Sequence, residues 1–282
     1  MELINKKWNV IWTVVLCLCL SEISFGQQTW ERVYGGTQGE FTSSVQQTND
    51  GGYVVGGRTY SQGAGGSDMY LVKLDANGDT LWTKTYGYAL DESLNSLQQT
   101  ADGGYILVGS RILTTGVVTQ NIFLVKTDLN GDTLWTKSYG DFGGYDDAYS
   151  VEQTTDGGYI LGGRTGVSTA KMYLIKTDMN GDTLWTKTYG TPGGEGRVVH
   201  QTTDGGYILG GFTQSTVTEI TGVIKTDANG DTLWTYQDQP GFSTTVQDIK
   251  ETVDGSYMVV GTMTDHSGQL TSRNGLMLKL NA

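Results

Sequence analysis

An all-β fold assembled from five copies of one unit is what this sequence predicts, on three observations. The first is composition. Of 282 residues, 42 are Gly and only 2 are Pro, and charged residues make up 17%. Low charge with many Gly, Thr and Tyr suits short strands joined by turns, not helices or a disordered tail. The second is repetition. Trp30, Trp82, Trp135, Trp185 and Trp234 recur every 49 to 53 residues. In a constant order with them come a turn acid (Asp50, Asp102, Asp156, Asp204, Asp254), a lysine closing an apolar run (Lys73, Lys126, Lys176, Lys225, Lys279) and a threonine (Thr48, Thr100, Thr154, Thr202, Thr252). The third is that every unit divides into four short apolar segments bounded by turn signals, with no sustained helical period.

The third copy serves for all. "YSVEQT" (Tyr149–Thr154) reads as the first strand and is followed by the turn "TDG". "GYILGG" (Gly158–Gly163) is the second and leads into a longer loop. "MYLIKTD" (Met172–Asp178) is the third and ends at Asn180-Gly181, a dipeptide that accepts the positive φ of a two-residue hairpin turn. "DTLWTKTYG" (Asp182–Gly190) is the fourth. Because side chains alternate along a strand, Trp185, Lys187 and Tyr189 share one face, and Leu184, Thr186 and Thr188 the other. Neither face is wholly polar, so each sheet needs a neighbour on both sides. Five four-stranded antiparallel sheets set radially satisfy that need as a five-bladed β-propeller. The fifth copy stops after its third strand, "LMLKLNA" (Leu276–Ala282), while "TWERVYGG" (Thr29–Gly36) is a Trp strand with no predecessor. The N-terminal strand is therefore expected to complete the last blade and close the ring.

Residues 1–26 stand apart. Lys6 and Lys7 precede the apolar run Trp8–Leu20, and Ser24 and Gly26 are small residues ahead of Gln27. That layout is a secretory signal peptide, expected to be removed, and the run is shorter than the ~20 residues of a membrane span. Residues 27–282 then form a single propeller domain. Both cysteines, Cys17 and Cys19, leave with the signal, so no disulfide or thiol chemistry is expected in the exported chain. Two lysines and two glutamates leave as well, and the net charge stays −12. An acidic surface argues against nucleic acid or an anionic membrane as partner and permits cations, neutral glycans or basic peptides.

The order "SV-QT, turn, GGYILGG, loop, YLIKTD, turn, LW" resembles the kelch repeat. Gly56-Gly57, Gly162-Gly163 and Gly210-Gly211 match its double glycine, Gly109 and Gly261 keep one glycine each, and Trp30, Trp82, Trp135, Trp185 and Trp234 match its Trp. The wording "DGGYILGG…YLIKTDxNGDTLW" is similar to the repeats of secreted bacterial propellers. The resemblance covers essentially all of residues 27–282 and implies the propeller fold. Such families include binding scaffolds and a few enzymes, so it implies no single activity.

In an up-and-down blade, the turns after strands one and three lie on one face and the loops after strands two and four on the other. The first kind are short and nearly identical. The second kind differ in length and content, as in Arg58–Asp68, Ser110–Gln120 and Thr264–Asn274. Variable loops on a rigid frame are where binding is expected. On that face, just ahead of the first strands, stand Glu40, Asp91, Glu92, Asp146, Asp147 and Glu195. In a closed ring they would gather at the channel mouth as a cation site or an acid/base pair, as in some five-bladed propeller glycosidases, although solvated loop acids are the plainer reading. Tyr60, Tyr88, Phe142, Tyr145 and Phe242 supply candidate stacking surface.

Asp178, Asn180 and Asp182 alternate like the first ligands of a calcium loop, but no acid follows within reach. The hairpin turn is the preferred reading, with loose calcium binding as the alternative, and no cofactor is expected. With only His200 and His266 present, no histidine-based metal cluster is expected, and no nucleophile elbow or phosphate loop occurs. The sequence thus points to an exported module, secreted or at the cell surface or in the periplasm, that is monomeric and non-enzymatic and binds a glycan or protein on its variable face. The alternative is a glycoside hydrolase or lyase that uses the channel-mouth carboxylates.

Overall fold

The computed structural model describes residues 30–114, 119–141, 143–167, 170–214, 219–237, 242–265 and 272–281. The chain divides into two compact units, residues 1–32 and 33–282. In the smaller one the described residues, 30–32, contain no strand. The larger one is all-β, a propeller-like succession of antiparallel sheets.

The first sheet is β1 (Glu40–Gln47), β2 (Tyr53–Thr59), β3 (Asp68–Leu74) and β4 (Thr80–Tyr86). The second is β5 (Glu92–Gln99), β6 (Tyr105–Thr114), β7 (Thr119–Thr127) and β8 (Thr133–Tyr139). The third is β9 (Asp147–Gln153), β10 (Tyr159–Thr165), β11 (Lys171–Thr177) and β12 (Thr183–Tyr189). The fourth is β13 (Glu195–Gln201), β14 (Tyr207–Gln214), β15 (Glu219–Thr226) and β16 (Thr232–Gln237). The fifth is β17 (Phe242–Glu251), β18 (Tyr257–Asp265) and β19 (Ser272–Leu280). Strands follow one another in chain order in every sheet, as hairpins require.

The core lies between sheets, not within them. Met69, Leu71 and Tyr86 of the first sheet pack with Leu94, Leu97 and Phe123 of the second, and the same clustering recurs at the next three junctions. Each repeat marker has a place in this stacking. Trp82 meets Tyr105 of the next unit edge-on at 5.9 Å, as does Trp135 with Tyr159, and Trp185 meets Tyr207 in the same way at 5.7 Å. Tyr86 donates its hydroxyl to the Gly131 carbonyl at 2.8 Å, and Tyr139 and Tyr189 repeat that bond to Gly181 and Gly230. The residues before the threonine stitch the first strands together: Gln99 N–H donates to Gln46 at 2.6 Å and Gln153 N–H to Gln98 at 2.6 Å.

The Asp-x-Asn-Gly-Asp turns also serve the stacking. Asp128 Oδ1 accepts from the amides of Asn130 (2.9 Å) and Asp132 (2.8 Å), which closes the turn, and Asp132 accepts from Lys84 of the preceding unit at 2.7 Å. Gly131 has φ of 78°, and a Cβ there would stand 2.8 Å from the Trp82 ring. Turn conformation and neighbour packing both require glycine at this position.

The expected ring closure is not formed. Residues 30–36 contain no strand, and the fifth sheet has three strands among the described residues. Tyr34 packs instead against Tyr70, Val72 and Leu74 of the first sheet and donates to Gly78 O at 2.7 Å, the contact that Tyr86 makes with the second sheet. The end sheets accordingly keep apolar side chains in solvent. Val45 is 68% exposed where Leu97, at the same place in the second unit, is 7% exposed, and Met277 is 70% exposed. The fourth strands also differ from expectation. Leu81, Leu134, Leu184 and Leu233 stay more than half exposed, because only the Trp–Tyr face of these outermost strands is covered by the next sheet.

Candidate ligand-binding site

A carboxylate opens the first strand in four of the units: Glu40, Glu92, Asp147 and Glu195. Antiparallel register places the end of the second strand beside it. Glu92 faces Arg111 and Asp147 faces Arg164, while Phe41 faces Arg58. The variable-loop ends of the units therefore present an acid, an arginine and an aromatic in repeated proximity. Arg58 lies 4.8 Å from the Phe41 ring centre, Arg111 4.2 Å from that of Tyr88, and Arg164 4.5 Å from that of Tyr145.

Some of these groups, from the first three units, line one polar pocket of ≈ 330 Å³. Arg58 and Tyr60 come from the first unit, Asp91 and Glu92 from the second, and Tyr145 and Asp147 from the third. Ser67 fixes Asp91, donating its amide (2.8 Å) and hydroxyl (3.3 Å) to Oδ1. Asp147 is held from two sides, by Asn95 Nδ2 at 2.9 Å and Gln120 Nε2 at 3.3 Å. Burial pushes its carboxyl up to about 6, with Arg164 opposing and Glu195 adding to the rise. Glu92 is only 1% exposed. Its Oε2 accepts from the Tyr88 amide at 2.9 Å, and its Oε1 has no hydrogen-bond partner. Burial pushes Glu92 up to about 7, against the pull of the Tyr88 bond and of Arg111 and with help from Asp68 and Asp91. The pocket can thus offer fixed acceptors, a guanidinium, two tyrosine rings and a carboxyl that holds a proton near neutrality.

Of the expected site residues, the structure brings Glu92, Tyr145 and Asp147 together, and Asp91 and Tyr60 join them. The others lie elsewhere. Glu40 is held by the Ser61 hydroxyl, the Gly36 amide and Thr59 on the first unit, which keeps its carboxyl below the usual range. Tyr88 stacks on Phe123 at 5.8 Å outside the pocket. Asp146 is buried beneath the surface, accepting from Gly166 N at 3.2 Å and Asp141 N at 3.3 Å, so it orders loops. Glu195 is paired with Arg164 at 3.0 Å and Arg197 at 3.3 Å. Phe142 and the side chain of Phe242 lie outside the described residues. The carboxylates therefore do not gather as one group at a channel mouth, because several are tied to partners within their own loops. Sequence reasoning missed Arg58, Arg111 and Arg164. Their signal was present, an Arg two residues after the first glycine of "GGRT" and at spacings of 53.

No protein-family model matches the chain, and no curated protein matches it. Among solved structures, it is similar to a protein of unknown function from Bacteroides caccae (14% identity, 78% of this chain and 71% of that one, TM-score 0.44). It is also similar to a mannose phosphorylase from Leishmania mexicana (12%, 89% of each chain, TM-score 0.42). A third is a glycosyl hydrolase from Bacteroides ovatus (12%, 84% and 83%, TM-score 0.41).

Proposed function

We propose that the protein is a secreted binding module that takes a glycan in the polar pocket between its first three units. Secretion rests on the N-terminal sequence pattern, and the ligand class rests on the pocket. One observation carries the reading: carboxylates, an arginine and two tyrosines from three separate units converge on ≈ 330 Å³. A sugar ring offers hydroxyls to both acceptors and donors, and apolar C–H faces to aromatic rings. The side chains are pre-set for this. Asp91 and Asp147 are anchored by Ser67, Asn95 and Gln120, and Arg164 covers Tyr145, so little freedom is lost on binding. A glycan array identifies the ligand, and calorimetry with Asp147→Asn tests the site. The variant is expected to bind at least about tenfold more weakly, ~1.4 kcal/mol. A blank array, or unchanged affinity in the variant, sinks the proposal.

A second reading has its own support. The raised carboxyl of Glu92, whose Oε1 has no hydrogen-bond partner, is suited to protonate a glycosidic oxygen, with Asp147 or Asp91 as the second carboxyl of a hydrolase. It requires turnover of aryl glycosides by the wild-type protein, lost by about a thousandfold or more in Glu92→Gln. Glycan binding without any hydrolysis would leave the binding module as the function.

A further inference from the structure

One third-strand position is aromatic in the first three units, Leu276 in the fifth and glycine in the fourth. The tyrosine ahead of one sheet shares a hydrophobic cluster with an aromatic on that sheet's third strand. Tyr34 packs against the cluster that holds Tyr70, Tyr86 and Phe123 belong to one cluster, and Tyr139 and Tyr173 both pack against another. Register identifies the equivalent residue in the fourth unit. Tyr70 faces Gly57, Phe123 faces Gly109 and Tyr173 faces Gly163, and there Gly222 faces Gly211. The fourth unit consequently offers Tyr189 no aromatic at that position. A recess of ≈ 250 Å³ opens at that point, with Tyr189, Thr213, Gly222, Ile224, Thr235 and Tyr236 in its lining.

Two independent observations indicate what the recess takes. Thr213 is 1% exposed, and its hydroxyl has no hydrogen-bond partner. Thr235, across from Ile224, stands where Thr186 stands across from Ile175, and Thr186 is the hydrogen-bond partner of the Tyr173 hydroxyl. The fourth unit therefore keeps the floor for a ring and the partner for its hydroxyl, but lacks the ring. The corresponding wedge between the first two units, ≈ 360 Å³, has Phe123 in its wall with Tyr88 stacked on it, so there the chain supplies its own rings. An apolar cavity of about 150 Å³ is enough to hold benzene.

We propose that the recess between the third and fourth units binds a phenol ring from outside the chain, seated on Tyr189 with its hydroxyl at Thr235. This site is separate from the polar pocket and independent of its ligand. The probe is p-cresol, added to the full chain and followed by saturation-transfer NMR and thermal denaturation. Binding with a Kd on the order of 1 mM is expected for so few atoms. Gly222→Phe restores the repeat. A Cβ at Gly222 would meet Met172 Sδ at 3.2 Å and Thr213 Cγ2 at 3.3 Å, so both neighbours must give by a few tenths of an ångström, the flexible Met172 most readily. This variant is expected to melt ~3 °C higher and to lose p-cresol binding at least about tenfold. Thr235→Val, at an exposed position where folding is not at risk, should weaken p-cresol and leave toluene unchanged. N-acetyltyrosinamide separates the sources of the ring. Tighter binding than p-cresol assigns it to a tyrosine of a partner peptide, and weaker binding to a free phenol. Failure of p-cresol to bind up to its solubility, equal binding by Gly222→Phe, or indifference of p-cresol to Thr235→Val overturns the proposal.

Discussion

Asp102→Ala is expected to lower stability by about 2 kcal/mol, whereas Asp254→Ala at the equivalent place in the fifth unit should have little effect. The lysine at this repeat position crosses from the third strand to the first turn of its own sheet. Lys126 is buried, and its Nζ reaches Asp102 Oδ2 at 2.8 Å and the Thr127 carbonyl at 2.8 Å. Asp102 is fixed in turn by the Thr100 hydroxyl at 2.5 Å and the Gly104 amide at 3.0 Å. Gly104 leaves room for the contact, since a Cβ there would stand 2.1 Å from Thr127 O and 2.7 Å from Lys126 Nζ. Removing the carboxylate strands an ammonium that the neighbouring sheets shield from water. That desolvation, more than the lost attraction, sets the cost. Among the described residues no further sheet covers Lys279, which is 49% exposed, so water can take over from Asp254. Urea denaturation of both variants checks the difference, and equal losses would mean that burial by the adjacent sheet is not the cause. The acid limb of the stability profile follows from the same pairs. The Thr48 hydroxyl first, and then Lys73, hold Asp50 down to about 2. Its contribution is present above the unfolded value near 4 and is lost as pH falls through about 2.

The features legible in the sequence are those encoded within one unit. Four strands per copy, the Asn-Gly hairpin turn, the packing role of the tryptophans and the lysine–aspartate pairing all follow from residues less than about 30 positions apart, and repetition multiplied the signal. The features that were not legible depend on how units sit against each other. The pocket takes Arg58 and Asp147 from opposite sides of the second unit, and no local pattern states that they meet while Glu195 pairs with Arg164. The unpaired fifth sheet illustrates the same limit. "TWERVYGG" matches the fourth-strand wording, yet Tyr34 engages the sheet that follows it without a strand forming. Gly222 is legible only in retrospect. Among 42 glycines, register alone reveals that this one replaces Tyr70, Phe123 and Tyr173.

Glu92→Gln should make the protein more stable at neutral pH and flatten its pH profile, although it removes a charged group from the candidate site. Wild-type Glu92 is held up to about 7 by burial, with Asp68 and Asp91 nearby favouring the proton and Arg111 and the Tyr88 amide favouring the charge. In the unfolded chain the same carboxyl titrates near 4.3. Between these values the native state keeps a proton that the unfolded state releases, so stability falls as pH rises from about 4.5 to about 7 and levels off above that. The loss over that range is on the order of 2 kcal/mol. Glutamine carries no charge at any pH and keeps an oxygen for the Tyr88 amide. The variant should match wild type near pH 4 and exceed it by about 2 kcal/mol at pH 8. A shallower slope of the same sign should remain in the variant from Asp147, which burial pushes up to about 6. Urea titrations of both proteins from pH 4 to 8 measure the difference. Parallel curves would mean that the Glu92 carboxyl is as free to ionise in the fold as in water. The pocket would then have lost the neutral-range acid on which the hydrolase reading depends, while the anchored carboxylates of Asp91 and Asp147 would still serve a bound glycan.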